Sequence, residues 1–346
     1  MNKVAIIGAS GYTGIEMLRL VLTHPNAELV AVTSRQYAGK PLSEIFPRFS
    51  RIEGTDLTFI EPSAKAVKAA GAEYAFLALP HGVAAEYATE LLDEGIKVID
   101  LSADFRLDCP DLYEEFYGKP HPAPELLSEA VYGMPELYAD EIKKARLVAS
   151  PGCFPTSSIL PVYPLIEAGI IKPETIVINS LTGVSGAGRK EAIPFLFAEC
   201  NESMRAYGVP RHRHLSELEQ EFHKAAGRDD FQVSFIPHLV PVTSGLFSTI
   251  VAEISADADP ASIAEVYETF FKNWPLVRVL GEGKIPDSKH VTRTNFLDIG
   301  WCIDPRTNRV IIHGVEDNLV KGSGGQSIQA FNLMAGLNSS AGLILT

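Results

Sequence analysis

The chain has 346 residues, of which 46% are hydrophobic, and its formal net charge is −13 at pH 7. Because nucleic acids and anionic membrane surfaces attract basic proteins, neither is an expected partner of this acidic chain. A length above 300 residues predicts two domains, and a small molecule is the expected ligand.

The cysteines and the N-terminus indicate the compartment. The four cysteines are far apart with no C-x-x-C spacing, and a chain of this length does not depend on disulfides. The N-terminal apolar run is too short for a secretory signal, and no stretch reaches the roughly 18 apolar residues of a membrane span. We therefore expect a cytoplasmic protein with reduced thiols.

Short apolar runs alternate with amphipathic segments in the first 150 residues. Apolar side chains recur at helical spacing in Gly14–His24 and in Val83–Glu94. Five apolar runs are predicted strands: Val4–Ile7, Leu29–Thr33, Tyr74–Leu79, Lys97–Leu101 and Arg146–Ala149. This alternation predicts an α/β domain of the Rossmann type, in which helices cover both faces of a parallel sheet.

The pattern changes after about residue 151. Helices are predicted at Leu215–Ala226, where Ser216 and Glu219 have capping-box spacing and Gly227 follows, then at Pro260–Lys272 and Gln326–Leu337. The predicted strands are Thr175–Ser180, Gln232–Ile236, Phe247–Ile254, Phe296–Ile303 and Arg309–Val315, the last two joined by a hairpin turn at Asp304–Asn308. We expect an α+β domain with a mixed or antiparallel sheet.

The first predicted strand leads into a glycine turn, Gly8-x-x-Gly11-x-x-Gly14, that begins a helix. Glycines at such a turn let the backbone approach a pyrophosphate, and the helix N-terminus attracts that anion. The spacing differs from G-x-G-x-x-G, so an ordinary strand-to-helix turn is the alternative. Its position at the start of a βαβ unit favours dinucleotide binding.

The end of the second strand indicates which dinucleotide binds. An NAD site usually has Asp or Glu here, which accepts a hydrogen bond from the ribose 2′-hydroxyl. This chain has Ser34 and Arg35. A guanidinium forms charge-assisted bonds to a 2′-phosphate, so the preferred cofactor is NADP. The alternative is that Arg35 is a solvated surface charge.

Cys153 lies in the stretch SPGCFPT, directly after the last predicted parallel strand, where open α/β sheets collect their ligands. If Pro155 and Thr156 begin a helix, its positive end favours the thiolate over the thiol. Pro161 and Pro164 argue against a regular helix beyond the first turn. The alternative is an inert buried thiol, which is the reading we accept for Cys109, Cys200 and Cys302.

A nucleophilic thiol needs a partner that handles protons, and histidine is the usual one. His212 and His214 precede a predicted helix, whose N-terminus disfavours imidazolium and keeps a neutral base available. Arg211 and Arg213 beside them could hold an anionic substrate, although an alternating Arg-His run could also be a surface strip. His81 follows a strand end and is expected to line the cofactor cleft.

NADP together with an activated thiol indicates one chemistry. An acyl group passes to the sulfur as a thioester, and a hydride then reduces it to an aldehyde. No His, Cys and carboxylate set has metal-ligand spacing, so no metal is expected. The competing hypotheses are a cysteine acyltransferase or hydrolase with an incidental glycine turn, and a non-catalytic dinucleotide sensor.

A series of motifs in the same order resembles the N-acetyl-γ-glutamyl-phosphate reductases of arginine biosynthesis, which belong with the aspartate-semialdehyde dehydrogenases. The likeness runs nearly from end to end: GASGYTG, LALPHG, DLSADFRL, YGMPEL, SPGCFPT, SGAGR, HRH, PHLVPV and DNLVKGSGGQSIQ. It implies NADPH-dependent reduction of N-acetyl-L-glutamyl 5-phosphate to the 5-semialdehyde, with release of phosphate.

The resemblance also implies roles for particular residues. Cys153 would be the nucleophile and His214 the acid/base, with His212 as a close alternative. The implied cofactor-binding residues are Gly8, Ser10, Gly11, Tyr12, Thr13, Gly14, Ser34, Arg35, Pro80 and Asn318, the last near the nicotinamide. The implied substrate-binding residues are Arg106, Ser185, Gly186 and Gly188. Arg211 and Lys321 are further candidates, because the carboxylate and phosphate of the substrate need cations.

The resemblance implies the domain boundaries as well. Residues 1–150 with 319–346 would form the NADP-binding domain, because the C-terminal helix would return to it, and residues 151–318 would form a catalytic and oligomerisation domain. We expect a homodimer or homotetramer that uses the second sheet as an interface.

Two positions depart from the family pattern. The chain has Ser150 where family members usually carry Asn, and Ser244 where Arg is common. Loss of a guanidinium leaves the substrate anchor open, so the aminoadipyl-phosphate reductases of lysine biosynthesis are an alternative. One methylene distinguishes the two substrates, which corresponds to about 1–3 kcal/mol of discrimination.

Overall fold

The computed structural model describes residues 1–189, 191–255 and 258–344. The chain divides into two compact units: Met1–Pro151 together with the segment from Ser323 onward, and Gly152–Gly322. Each unit has its own sheet.

The first unit contains a six-stranded sheet whose strands are all parallel. The strands are β1 (Asn2–Ile7), β2 (Ala27–Thr33), β3 (Tyr74–Leu77), β4 (Lys97–Asp100), β5 (Val131–Tyr132) and β6 (Leu147–Ala149), in the order β2-β1-β3-β4-β6-β5. Every residue of β3 and β6 is buried, as expected for a sheet covered on both faces. The predicted Rossmann-type sheet is confirmed.

The connections of the first unit carry helices α1 (Tyr12–Leu22), α2 (Leu42–Ile45), α3 (Ala64–Ala69), α4 (Ala84–Asp93), α5 (Pro110–Tyr117) and α6 (Pro135–Ile142). Sequence periodicity predicted α1 and α4 within two residues at each end. It missed the short helices, of four to eight residues, and the two-residue strand β5, because such segments are too short for a periodic pattern to stand out.

The second unit begins with α7 (Cys153–Glu167), a 15-residue helix with Pro161 and Pro164 inside it. The prediction that these prolines end the helix after one turn is wrong. Twelve of its residues are buried, so packing holds the helix where local propensity disfavours it. Part of that packing is a hydrogen bond from the Tyr267 hydroxyl to the Pro161 carbonyl, 2.6 Å.

The second unit also contains a seven-stranded mixed sheet. Its elements are β7 (Val177–Thr182), α8 (Phe197–Cys200), β8 (Arg205–Ala206), α9 (His214–Ala226), β9 (Ser234–Leu239), β10 (Leu246–Glu253), α10 (Pro260–Phe271), β11 (Val277–Glu282), β12 (Leu297–Asp304) and β13 (Arg309–Glu316). The strand order is β11-β12-β13-β10-β7-β9-β8, parallel only at β11/β12 and β7/β9. The predicted mixed α+β fold and the β12–β13 hairpin are confirmed.

The helix predicted at Leu215–Ala226 is present, but its predicted capping box is wrong. α9 begins at His214, so Ser216 lies inside the first turn and donates to the Arg213 carbonyl (2.7 Å) instead of capping the helix. Glu219 accepts from the backbone N–H of Val233 (3.1 Å) rather than reaching back to a cap. The predicted stop at Gly227 is confirmed, since this residue has a φ of +64°.

The last helix, α11 (Gly325–Met334), belongs to the first unit. Its Phe331 ring lies 5.1 Å from Tyr74 and 5.7 Å from Phe76, on the strand β3 side of the first sheet. The Asn332 side chain pairs with His24 at 3.0 Å. The C-terminal helix therefore completes the core of the first unit.

Candidate active site

The glycine turn joins β1 to α1 at the carboxyl end of the first sheet. Gly8 has a φ of +83°, and a Cβ atom there would lie 2.7 Å from the Ala78 carbonyl oxygen. A Cβ on Gly14 would lie 2.6 Å from the Cα of Ala9, so these two positions require glycine. A Cβ on Gly11, the N-cap of α1, would meet no described atom within 4 Å. The turn thus leaves room for a ligand at a helix N-terminus.

The other predicted cofactor residues lie on the same turn or on neighbouring strand ends. Ser10 is in the turn, and Tyr12 and Thr13 are the first two residues of α1. Ser34 is buried and donates its backbone N–H to Ile60, whereas Arg35 is exposed and donates from Nη2 to the Tyr87 hydroxyl (3.0 Å).

The loop after β3 contains Pro80 and His81, both exposed. Its following residues are held by Asp104, whose carboxylate accepts from the backbone N–H groups of Gly82 (2.6 Å) and Ala85 (3.1 Å). The His81 ring lies 5.7 Å from that of Tyr117. These contacts fix the start of α4 near the predicted cofactor side of the sheet.

Arg106 is buried in the first unit. Its Nε donates to the Ser150 carbonyl (2.8 Å) and its Nη2 to the Leu101 carbonyl (3.0 Å), so it ties the loop after β4 to the end of β6. Nearby Asp100 is fully buried, and burial, then the charge of Asp104, raises the pKa of its carboxyl to about 7.

Cys153 is the first residue of α7, in the second unit, with Gly152 as the N-cap. The Gly152 backbone N–H donates to the buried Glu217 carboxylate (3.0 Å). On the other side, a Cβ atom on Gly322 would lie 2.7 Å from the Cβ of Cys153. Cys153 therefore lies between Gly152 and the backbone of Gly322, and the backbone at Gly322 comes this close because it carries no side chain.

His214 is the first residue of α9 and packs against the residue that precedes the cysteine. A Cβ atom on Gly152 would lie 2.5 Å from the His214 Nε2. The same nitrogen is 3.9 Å from a Glu217 carboxylate oxygen, one helical turn along. The structure therefore brings Cys153, His214 and Glu217 together at the N-termini of two helices.

His212 lies beside this group in a different environment. Its Nδ1 accepts from the backbone N–H of His214 (3.1 Å), and its ring packs edge-on against Phe154, Tyr207 and Phe235. Burial, and then the charge of Arg213, lowers the pKa of His212 to about 4. The ring is therefore neutral near pH 7, with its proton on Nε2.

A cavity of about 450 Å³ in the second unit contains Cys153, His212 and His214 in its wall. Arg205 and Arg213 supply positive charge, and none of the described lining residues is acidic. Tyr207 also lines the cavity, and burial, with the nearby charge of Cys153, raises the pKa of its phenol above the usual range. Such a cavity suits an anionic ligand.

The segment after β7 is tied to Asn318. The Asn318 Nδ2 donates to the Ser185 hydroxyl (2.9 Å), and its Oδ1 accepts from the backbone N–H of Gly245 (2.8 Å). Gly186 lines the cavity, and Gly188 has a φ of +75°. Asn318, in the second unit, thus links Ser185 of the predicted substrate-binding segment to the backbone of Gly245.

Two further cations were predicted to bind the substrate, and they differ in their exposure to solvent. Arg211 is exposed, two residues before Arg213, and Lys321 is fully buried in the second unit.

Among the polar residues of the cavity wall and the helix ends, sequence reasoning missed Thr182, Arg205, Tyr207 and Glu217. The spacing of His214 and Glu217, three apart at a helix start, was a signal for the last of these. The others come from strands or loops whose pairing is not local in sequence.

No group of three metal-ligating side chains occurs within the described ranges. Over the same part of the chain, no helix is long and apolar enough to cross a bilayer.

Two family models match the chain. The semialdehyde dehydrogenase NAD binding domain matches residues 3–145, and the semialdehyde dehydrogenase dimerisation domain matches residues 153–318. In solved structures, aspartate semialdehyde dehydrogenase II of Vibrio cholerae aligns over 97% of this chain and 98% of its own, with a TM-score of 0.73 and 16% identity. The Candida albicans enzyme, solved with NADP, aligns over 99% of both chains with a TM-score of 0.72 and 15% identity. The class is therefore a two-domain dehydrogenase with a dinucleotide-binding unit.

Curated relatives narrow the class. The N-acetyl-gamma-glutamyl-phosphate reductase of Akkermansia muciniphila is 58% identical over 99% of this chain and 98% of its own length. That of Desulfotalea psychrophila is 47% identical over 99% of this chain and 98% of its own. The chain belongs to the N-acetyl-gamma-glutamyl-phosphate reductases of the semialdehyde dehydrogenase family, which confirms the resemblance seen in its motifs.

Proposed function

We propose that the chain catalyses the NADPH-dependent reduction of N-acetyl-L-glutamyl 5-phosphate to N-acetyl-L-glutamate 5-semialdehyde, with release of phosphate, in arginine biosynthesis. Relatives with the corresponding name cover its whole length. The observation that carries the proposal is Cys153 at the N-terminus of α7, with the His214 ring against Gly152 in a cavity lined by two arginines.

The first step forms a thioester on Cys153. His214 accepts the thiol proton, and the positive end of α7 stabilises the thiolate. Glu217, 3.9 Å from the imidazole, stabilises the resulting charge on His214. The sulfur attacks the acyl carbon, the bond from that carbon to the phosphate oxygen breaks, and phosphate leaves.

The second step reduces the thioester carbon, for which bound NADPH supplies the hydride. The oxyanion that forms on the substrate lies near backbone N–H groups of the first turn of α7, which have no partner within the helix. His214 holds the proton that this oxygen can take up and give back. When the carbon–sulfur bond breaks, the semialdehyde leaves and Cys153 is a thiolate again.

His214 suits the acid/base role better than His212. The Nδ1 of His212 is engaged by the His214 backbone, and its lowered pKa keeps it neutral. We assign His212 to positioning His214 and to donating a hydrogen bond from Nε2 to the substrate.

The first test replaces the sulfur. Cys153→Ser should lower phosphate-dependent NADP reduction with N-acetylglutamate semialdehyde by at least about 1,000-fold, because a serine hydroxyl is a far weaker nucleophile. NADPH binding, followed by fluorescence, should be unchanged. Cys109→Ser, at an exposed thiol, is the control. Turnover that survives in the Cys153 variant would remove this residue from the mechanism, and an aminoadipyl semialdehyde used equally well would favour the lysine-pathway alternative.

We infer NADP rather than NAD as the cofactor, bound by Gly8, Ser10, Gly11, Tyr12, Thr13 and Gly14 at the pyrophosphate, by Ser34 and Arg35 at the 2′-phosphate, by Pro80, and by Asn318 near the nicotinamide. The turn fits a dinucleotide, because Gly8 and Gly14 pack tightly against Ala78 and Ala9 while Gly11, the N-cap of α1, faces open space. The Tyr87 hydroxyl orients the Arg35 guanidinium at the end of β2.

The cofactor preference is tested at Arg35. Arg35→Ala should weaken NADPH binding at least about tenfold and leave NADH binding unchanged, because the guanidinium contacts only the 2′-phosphate. Arg48→Ala, at another exposed arginine of the same unit, should change neither. An equal loss of affinity for NADPH and NADH would contradict the assignment of Arg35 to the 2′-phosphate.

We also infer that the second unit forms a homodimer through the open face of its sheet. Alternate residues of β10 are partly exposed, and Val251 on that face pairs with Val177 and Ile311. A partly exposed apolar row across three strands is typical of an interface, and the matching family model is a dimerisation domain. The expected cytoplasmic location stays a prediction.

A further inference from the structure

The hydroxyl of Thr182, in the wall of the cavity that contains Cys153, has no hydrogen-bond partner among the residues that the structure describes. Thr182 is 2% exposed and lines that cavity, and within the described ranges its Oγ1 makes no hydrogen bond. Leaving a buried hydroxyl unsatisfied costs about 1–3 kcal/mol, so native proteins rarely do so without a ligand or water. Thr182 is therefore a candidate ligand contact.

The sheet places two more cavity residues in line with this hydroxyl. Thr182 of β7 is the register partner of Leu239 on β9, and Leu239 is the register partner of Arg205 on β8. All three line the cavity. Adjacent strands lie about 4.8 Å apart, so the row spans about 10 Å from a hydroxyl, across an apolar side chain, to a guanidinium.

The neighbours of Thr182 do not take up its hydroxyl. Asn318 lies close, but its Nδ2 donates to Ser185 and its Oδ1 accepts from Gly245. Arg205 donates from Nη2 to the Pro194 carbonyl (3.0 Å), which uses one of the five donors of a guanidinium.

We propose that Thr182, Leu239 and Arg205 form a recognition row for an N-acylated α-amino acid. The Arg205 guanidinium reaches along the row to pair with the α-carboxylate, and the Thr182 hydroxyl donates to the acylamino carbonyl. Leu239, between them, contacts the α-carbon and the first methylene of the chain. The assignment rests on the proposed function, which places the reacting carbon at Cys153. A free ammonium group would find no acidic side chain among the described residues of the cavity wall, so the row selects the acylated substrate.

The experiment measures ligand binding without turnover. The probes for calorimetry are N-acetyl-L-glutamate and glutarate, which has the same chain but no acylamino group. Thr182→Val replaces the hydroxyl with a methyl group and suits a strand. It should weaken binding of N-acetyl-L-glutamate about tenfold, whereas the affinity for glutarate should change less than twofold. Thr182→Ser, which keeps the hydroxyl, should bind within about threefold of the unsubstituted protein. Arg205→Gln should weaken the binding of both probes.

Each outcome has a meaning. The proposed row is overturned if Thr182→Val leaves N-acetyl-L-glutamate binding unchanged, or if it lowers the affinity for both probes equally. It is also overturned if the unsubstituted protein does not bind N-acetyl-L-glutamate. The alkylation rate of Cys153 by iodoacetamide should be the same in all variants, which shows that the site is intact. If the binding pattern holds in a protein without reductase activity, the proposed reaction fails and the recognition row stands.

Discussion

At the scale of single residues, the two histidines of the cavity differ because of what surrounds each ring. His214 lies over the backbone of Gly152 and near the Glu217 carboxylate, whereas His212 is enclosed by aromatic rings. Enclosure without an anionic partner is what lowers the pKa of His212. The neutral ring then accepts the backbone N–H that positions its neighbour.

This difference predicts a pH dependence of stability. The pKa of His212 is about 4 in the folded chain and about 6.5 when unfolded, so between these values the unfolded state binds more protons. The contribution is fully present above pH 6.5 and is lost as the pH falls toward 4. From pH 7.5 to pH 5, the unsubstituted protein should lose about 2 kcal/mol more unfolding free energy than His212→Asn, which can still accept the His214 N–H. Urea titrations at both pH values measure this, and equal losses would contradict it.

The sequence proposed Cys153, the glycine turn and both histidines as candidates, because each belongs to a local motif with its own chemical reason. The structure places Cys153, His212 and His214 in the wall of one cavity. It did not identify Thr182, Tyr207 or Arg205. An orphaned hydroxyl in a cavity wall results from the pairing of β7 with β9, and nothing within a few residues of Thr182 encodes that pairing. The Ser216–Glu219 capping box was wrong because His214, two residues earlier, already begins the helix.

At the scale of elements, helix α7 shows how packing overrides propensity. Each internal proline leaves the carbonyl four residues earlier without its helical donor. For Pro161 this carbonyl belongs to Ser157, and it faces Gly314 of β13 so closely that a Cβ atom there would overlap the oxygen. A glycine in the strand therefore makes room for the irregular helix.

This contact predicts a large effect of a single methyl group. Gly314→Ala should lower the unfolding free energy by about 3 kcal/mol, since neither the strand nor the buried helix can move away without cost. Urea unfolding followed by circular dichroism measures the change. Thr307→Ala, in the exposed turn before β13, should shift it by less than about 0.5 kcal/mol. A Gly314 variant as stable as this control would show that the backbone yields freely.

At the scale of the whole molecule, the fold class was predictable because hydrophobic periodicity reports sheet type. Buried strands such as β3 have continuous apolar runs, whereas β10 alternates buried and partly exposed residues. The same alternation leaves one face of the second sheet open to a partner. Pairing between chains has no such signature in one sequence, which is why the assembly remained an expectation.

The open face predicts the result of a charge substitution. Val251→Glu should convert a dimer to a monomer in sedimentation equilibrium, because it would bury an unpaired carboxylate in the proposed interface. Ile285→Glu, at a side chain 72% exposed in the loop after β11, should leave the mass unchanged. A monomeric unsubstituted protein, or a dimeric Val251 variant, would exclude this face as the interface.

The proposed reacting groups belong to Cys153 and His214, the first residues of α7 and α9, whereas the proposed row of Thr182, Leu239 and Arg205 lies at the ends of strands. A lineage could therefore change which acid it accepts by altering the strand residues, with the sulfur and its imidazole left untouched. The two positions without side chains on either side of Cys153 offer no such freedom, since any larger residue there would displace the thiol or the ring. Substitutions at the strand ends are therefore the ones expected to change the accepted acid, because the positions next to Cys153 tolerate no larger side chain.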